Sequence, residues 1–186
     1  MAPFLESDSV STRFPVVTDR TVLRRLTSAD LADFQLYRQD EEVGRYQGWL
    51  PQTDADATAL LEKYGETEFF QPGIWFQVGI ADRETDSLIG DIGVCLSASE
   101  PEAEIGFTLR RQSQGLGLGT EAIGAIIEYL FAQTDIHRVV GVTDARNIAA
   151  IKLLEELGML HLQTNKAVFR GLPCEEHLFA LHRSQF

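Results

Sequence analysis

Runs of apolar residues, several of them alternating with polar ones, predict seven β-strands along the chain. Segments such as "GIWFQVGIAD" and "LIGDIGVCLSA" are rich in β-branched and aromatic residues, and only short polar connections separate them. Connections of that length are typical of antiparallel neighbours. The predicted strands cover residues 21–27, 73–82, 88–98, 103–109, 137–143, about 159–169 and about 175–183.

Apolar residues at helical spacing predict four helices between these strands. A capping pair, Thr27 and Asp30, precedes the first helix, and the last helix begins at Asn147 and ends at Gly158. The third helix connects strands 103–109 and 137–143 by a crossover, so these strands should run parallel within an otherwise antiparallel α+β sheet. The predicted helices cover "LADFQLYRQ", about 54–69, 118–132 and 147–158.

Length and composition favour a single globular domain. The chain has 186 residues, of which 44% are hydrophobic and 24% charged, and these values are ordinary for one domain. We expect residues 1–15 to form a flexible tail and residues 16–186 to form the domain. The sequence shows no signal-peptide pattern and no apolar run of the ~18 residues that a membrane helix needs. Cys95 and Cys174 form no disulfide framework, so a cytoplasmic location is expected.

Charge narrows the possible partners. The net charge of −12 argues against general nucleic-acid binding, because no excess of positive charge is available to displace counterions from phosphate. A cationic acceptor is compatible with this charge, although solubility alone also explains it. The four histidines show no pair at metal-ligand spacing on one element, so we predict no metal site.

Three glycines at alternate positions, Gly115, Gly117 and Gly119, lie where a predicted strand leads into a helix. A P-loop would need a lysine at the helix start, and Thr120 and Glu121 stand there instead. A dinucleotide fingerprint is matched only weakly, because "RRQSQ" separates the strand from the first glycine. The third possibility is a pyrophosphate held by backbone N–H groups at the helix N-terminus. A plain glycine-rich loop remains the alternative.

The order of these motifs resembles the GNAT (GCN5-related N-acetyltransferase) superfamily, in particular the branch of ribosomal-protein N-terminal acetyltransferases. The segment from Gln112 to Gly117 fits the acetyl-CoA loop pattern Q/R-x-x-G-x-G/A of that superfamily. "GTEAIGAIIEYLF", "DARNIAAIKLLEELGM" and the closing "FRGLPCEEHLFALHRSQF" then match its following elements in order. The resemblance extends from about Thr18 to the end of the chain, and it implies acetyl-CoA as the cosubstrate.

The resemblance implies a mixed, mostly antiparallel seven-stranded sheet with a central splayed parallel pair and about four helices on its two faces. The backbone of residues 114–120 would hold the CoA pyrophosphate, and the strand before it would pair with the pantetheine arm. Asn147 would contact the pantetheine, or serve only as a helix N-cap. The cofactor-binding residues implied in this way are Phe107, Leu109, Gln112, Gln114, Gly115, Leu116, Gly117, Gly119, Thr120 and Asn147.

For catalysis we predict that Glu104 is the general base, the alternative being a structural or solvated charge. Where the branch often has a serine, proposed to protonate the leaving thiolate, this chain has Ala150. The resemblance implies that the acceptor enters over the loop between the first two helices, "GRYQGWLP", and the C-terminal hairpin loop, as is usual in this fold. Tyr46 and Trp49 would contact the acceptor there, or they would anchor the loop to the core.

The predicted activity is transfer of an acetyl group to a primary amine, either a small molecule or a protein N-terminus. Two alternatives remain open from the residues, namely another acyl-CoA such as succinyl-CoA, and an acyl-CoA-binding regulatory module without turnover. Neither nucleic acid nor membrane is an expected partner, and the protein is expected to be a monomer or a homodimer.

Overall fold

The computed structural model describes residues 14–186, which form one eight-stranded sheet in the order β1-β2-β3-β4-β5-β6-β8-β7. Every neighbouring pair is antiparallel except β5 and β6, which run parallel as predicted. A dinucleotide-binding fingerprint belongs to a doubly wound, mostly parallel sheet, and one parallel pair does not form such a sheet, so this alternative is excluded. The strands are β1 (Val16–Val17), β2 (Thr21–Arg24), β3 (Trp75–Asp82), β4 (Leu88–Leu96), β5 (Glu102–Leu109), β6 (Arg138–Asp144), β7 (Leu160–Phe169) and β8 (Leu172–His182).

The strand prediction needs three corrections. The eighth strand, β1, has only two residues, too few for a periodic pattern. Strand β2 ends at Arg24 because the predicted capping pair forms a capping box, and a 3₁₀ turn begins directly after Thr27. Strand β8 begins at Leu172, earlier than predicted, because Arg170 and Gly171 both have positive φ and close the hairpin as a two-residue turn.

Within residues 14–186, five α-helices accompany the sheet, one more than predicted. The additional helix is a single turn, capped by the Asp40 carboxylate, which accepts from the N–H groups of Glu42 and Val43. The second predicted helix ends at Glu66, before two phenylalanines that pack against the main core. The helices are α1 (Leu31–Arg38), α2 (Glu41–Gly44), α3 (Asp54–Glu66), α4 (Leu118–Gln133) and α5 (Ile148–Glu156).

The two faces of the sheet have separate cores. Helix α4 packs Ile123 and Ile126 into the larger core, which contains Ile92 of β4. Helices α1 and α3 lie on the opposite face and form a smaller core with Phe34 and Leu88 among its members. Strand β4 supplies residues to both cores because a β-bulge opposite Ile80 and Ala81 adds one residue to β4, which puts Leu88 and Ile92 on opposite faces. The fold class is therefore confirmed as a mixed sheet with helices on both faces.

Most of the predicted tail, residues 1–15, lies outside the described residues, so its flexibility stays a prediction. The ring of Phe14 packs edge-on against Phe69 and Tyr129, with centroid separations of 4.8 and 5.6 Å. Within residues 14–186, no helix has the length and apolar character needed to cross a membrane.

Candidate active site

A cleft of about 930 Å³ opens between β5 and β6. The two strands pair only as far as Ile105 and Gly141. Beyond that point β5 stays paired with β4 as far as Leu109, and β6 stays paired with β8 as far as Asp144. Because the sheet is twisted, β5 turns with β4 and β6 turns with β8, so β5 and β6 move apart beyond that point. The starts of α4 and α5 flank the opening.

Two backbone carbonyls in the splayed part of β5 are satisfied by side-chain amides. The carbonyl of Phe107 accepts from Gln47 Nε2 at 3.1 Å, and that of Leu109 accepts from Gln114 Nε2 at 2.9 Å. Strand carbonyls without a strand partner need another donor. The same backbone positions were predicted to pair with the pantetheine arm, so such a ligand would share or replace these two hydrogen bonds.

The three alternate glycines serve two purposes. Gly115 and Gly117 have φ values of 70° and 76°, a left-handed conformation that favours glycine. Gly119 is needed for packing, since a Cβ there would lie 2.7 Å from a methyl carbon of Leu153 and 2.8 Å from one of Leu109. The loop therefore turns sharply into α4 and lets the helix approach β5 and α5 closely.

The start of α4 presents a row of unused hydrogen-bond donors. Within residues 14–186, none of the backbone N–H groups from Gly115 to Thr120 donates to a protein acceptor. The first intrahelical bond runs from the N–H of Glu121 to the carbonyl of Gly117, at 3.1 Å. Free N–H groups combined with the positive end of the helix dipole are suited to binding an anion.

The cleft brings together eight of the ten residues predicted to bind the cofactor. Its lining does not include Gln112 or Leu116. Gln112 lies exposed in a 3₁₀ turn, Arg111–Ser113. The side chain of Leu116 points outward and its carbonyl accepts from Arg20 Nη1 at 2.9 Å. The predicted residues that line the cleft are Phe107, Leu109, Gln114, Gly115, Gly117, Gly119, Thr120 and Asn147.

Asn147 lines the cleft and also caps α5. Its Oδ1 accepts from the N–H of Ala150 at 3.3 Å, which leaves its side-chain NH₂ group available as a donor. Ala150 itself lies in the lining, so this part of the cleft presents a methyl group.

Glu104 stands on β5, in register with Cys95 of β4 and Val140 of β6. The cleft lining begins with the next residue, Ile105, so the carboxylate lies beside the cleft rather than within it. Although Glu104 retains solvent exposure, partial burial raises the pKa of its carboxyl group. The negative charges of Glu102 and Glu176 raise that pKa further. A raised pKa makes a carboxylate a stronger base.

Tyr46 and Trp49 have different surroundings. Tyr46 lines the cleft, and its hydroxyl lies 3.4 Å from the carbonyl of Arg146. The Trp49 ring packs against Gly44, and the Arg38 guanidinium lies 4.7 Å from the ring centroid. Of the two aromatic residues, only Tyr46 is placed to meet a molecule in the cleft, whereas Trp49 anchors the loop.

Arg170, at the tip of the β7–β8 hairpin, joins that hairpin to the α2–α3 loop. Its Nη2 lies 3.0, 3.1 and 3.2 Å from the carbonyls of Gly44, Gln47 and Trp49. These contacts hold Gln47 next to β5, where its amide reaches Phe107. Neither Arg170 nor Gln47 carries a sequence signal, because each belongs to the site only through contacts with distant residues.

The histidines do not gather into a metal centre in the described part of the chain. The rings of His161 and His177 lie 4.5 Å apart, and Thr164 Oγ1 is within hydrogen-bonding distance of both. Among residues 14–186, no group of three or more His, Cys, Asp or Glu side chains is arranged to hold a metal ion.

Comparison with known proteins identifies the family. The Acetyltransferase (GNAT) domain family matches residues 20–160. An uncharacterized N-acetyltransferase, p20, from Bacillus licheniformis is 30% identical over 173 residues, which span 91% of this chain and 96% of that protein. The chain therefore belongs to the GNAT acetyltransferase family, as its motifs indicated.

Solved structures with lower sequence identity share the fold. A putative ribosomal-protein-serine acetyltransferase from Vibrio cholerae is 22% identical, with a TM-score of 0.78, covering 92% of this chain and 98% of that one. The microcin C7 self-immunity acetyltransferase MccE, solved with acetyl-CoA and AMP, is 15% identical, with a TM-score of 0.80, covering 94% of this chain and 99% of that one.

Proposed function

We propose that the protein transfers an acetyl group from acetyl-CoA to a primary amine by direct attack within a ternary complex. This proposal rests on the row of N–H groups from Gly115 to Thr120 beside the β5–β6 cleft, none of which has an acceptor among residues 14–186. The acetyl-CoA bound to MccE, a protein of the same fold, supports the choice of donor.

The residues offer acetyl-CoA a continuous path. The backbone of Gln114 to Thr120 would hold the pyrophosphate, with the helix dipole favouring its charge. The pantetheine arm would follow β5 along Phe107 to Leu109, with Asn147 as a further donor. The thioester would then lie where the strands separate, near Gly106.

The chemistry requires an unprotonated amine. Its nitrogen attacks the thioester carbonyl carbon, the C–S bond breaks, and CoA leaves as the thiolate. We assign Glu104 as the base that takes the amine proton, directly or through one water molecule. Two features of the site support this role, its position beside the cleft and its raised pKa.

The leaving thiolate does not receive its proton from Ala150, which has none to donate. A thiol has a reference pKa near 8.5, so its anion is a tolerable leaving group near neutral pH. Helix α5 begins at Ile148 with Asn147 as its N-cap, and both residues line the cleft, so the positive dipole end of α5 faces the same region.

The test measures release of free thiol with acetyl-CoA and with succinyl-CoA, over a panel of small amines and N-terminal peptides. We expect turnover with acetyl-CoA and at least one class of amine, abolished when the acceptor is omitted. A folded protein that binds acetyl-CoA without turnover on any acceptor would instead be a binding module. Higher kcat/KM with succinyl-CoA would overturn the assignment of the donor.

A further inference from the structure

Glu121 introduces a negative charge into the first turn of α4, beside the N–H groups of the glycine loop that have no acceptor in the described part of the chain. A carboxylate in this position is attracted to the positive end of the helix. An unrestrained Glu121 would therefore compete with an anionic ligand for the same donors and would also repel it.

The carboxylate is held aside by the short turn between β1 and β2. Its Oε1 accepts from Thr18 Oγ1 at 2.5 Å and from the backbone N–H of Arg20 at 2.7 Å. Its Oε2 accepts from Arg20 Nε at 2.7 Å. Burial by itself would raise the pKa of Glu121, but these hydrogen bonds outweigh burial and lower it. Glu121 therefore remains charged, and Arg20 provides the neutralising charge.

Arg20 also contacts the glycine loop directly. Its Nη1 donates to the carbonyl of Leu116 at 2.9 Å, so Arg20, and not a backbone N–H group of the described residues, satisfies that carbonyl. Its Nη2 lies 3.4 Å from the point that a Cβ on Gly117 would occupy. One guanidinium group thus connects the loop to the first turn of α4.

We propose that Arg20 is a positioning residue for the acyl-CoA site. It neutralises Glu121 and holds both that carboxylate and the Leu116 carbonyl away from the donors that would bind the CoA pyrophosphate. This inference rests on the proposed function, because it concerns the binding of the same cosubstrate.

The test compares two ligands. Acetyl-CoA carries the pyrophosphate, whereas S-acetylpantetheine does not. Only the affinity for acetyl-CoA should therefore fall when the Glu121 carboxylate is no longer neutralised and held by Arg20. We expect Arg20→Ala to weaken acetyl-CoA binding, measured by calorimetry, by about tenfold or more. Binding of S-acetylpantetheine, followed by NMR titration, should change by less than about twofold, because its site lies along β5.

A second variant separates action through Glu121 from direct action on the ligand. Removing the charge of Glu121 in Arg20→Ala/Glu121→Gln should restore acetyl-CoA affinity to within about threefold of Glu121→Gln alone. Arg83→Ala is the matched control. Arg83 Nη1 donates to the carbonyls of Thr18 and Asp19 in the same turn, but Arg83 is not a partner of Glu121.

Three results would overturn the inference. They are unchanged acetyl-CoA affinity in Arg20→Ala, a double variant as weak as Arg20→Ala, and an equal loss in Arg83→Ala. Circular-dichroism melting of each variant shows whether it is folded. Failure of the unsubstituted protein to bind acetyl-CoA would count against the proposed function itself, so the two failures are distinguishable.

Discussion

Gly117→Asp should weaken acetyl-CoA binding far more than it weakens folding. Gly117 is the N-cap residue of α4 and has a φ of 76°. An ordinary side chain in this conformation costs roughly 1–2 kcal/mol, and aspartate and asparagine tolerate it better than most. Among the described residues, a new Cβ would meet only Arg20 Nη2, at 3.4 Å, and this end of a flexible side chain can shift. We therefore expect the variant to fold with a modest loss of stability.

Binding should suffer because the new carboxylate would lie beside the proposed pyrophosphate site. Two like charges about 5–6 Å apart repel by roughly 1–3 kcal/mol at an effective dielectric constant of about 20–50. This corresponds to a roughly ten- to hundredfold loss of affinity. Partial pairing of the new carboxylate with Arg20 would weaken this repulsion, so the loss of acetyl-CoA affinity would lie nearer tenfold than hundredfold.

Gly117→Asn is the matched control, since asparagine has the same shape and the same tolerance of positive φ but no charge. Calorimetric titration with acetyl-CoA, combined with thermal melts, compares the two variants with the unsubstituted protein. Equal affinities of the aspartate and asparagine variants would refute the electrostatic reasoning. Unchanged affinity in a folded aspartate variant would refute the phosphate site altogether.

Glu104→Gln should lower kcat/KM about a hundredfold or more at neutral pH with little change in acetyl-CoA affinity; near-full activity from pH 6 to 9 would make Glu104 structural. Glu176→Gln removes a negative charge that raises the pKa of Glu104, so the acidic limb of the pH–kcat/KM profile should move to lower pH. An acidic limb at unchanged pH would count against Glu104 as the base. Ala150→Ser should leave kcat within about threefold, because thiolate departure needs no added acid; a tenfold rise would contradict this. Arg170→Ala should release the loop around Gln47 and so raise the KM for the acceptor without raising the Kd for acetyl-CoA. An unchanged acceptor KM would show that Arg170 does not position this loop for the acceptor.

Local sequence signals were sufficient wherever the physical cause is itself local. The hairpin strands follow from apolar runs with short connections, and the crossover requires a parallel pair once a helix separates its strands. The Thr27–Asp30 capping box and the Asn147 cap form in the structure because each involves only residues three positions apart. The alternate glycines likewise indicated where a strand leads into a helix.

Long-range contacts decided how the site is completed. Glu121 and Arg20 are 101 positions apart, and Arg170 reaches the carbonyl of Gly44 across 126 positions. Neither pair has a sequence signal, because an arginine on a turn resembles any other solvated charge until the sheet brings its partner alongside. For the same reason the sequence could not distinguish the roles of Tyr46 and Trp49. Tertiary packing places Tyr46 in the cleft and Trp49 against Gly44.

The sequence by itself determined the family, the parallel strand pair and the glycine turn, because these depend on the order of residues and on backbone conformation. The tertiary structure alone decided where the strands separate. Strand β5 remains paired with β4 as far as Leu109, and β6 with β8 as far as Asp144, so the β5–β6 ladder stops at Ile105. The position at which the β5–β6 ladder stops depends on the twist of the whole sheet, which no single segment encodes.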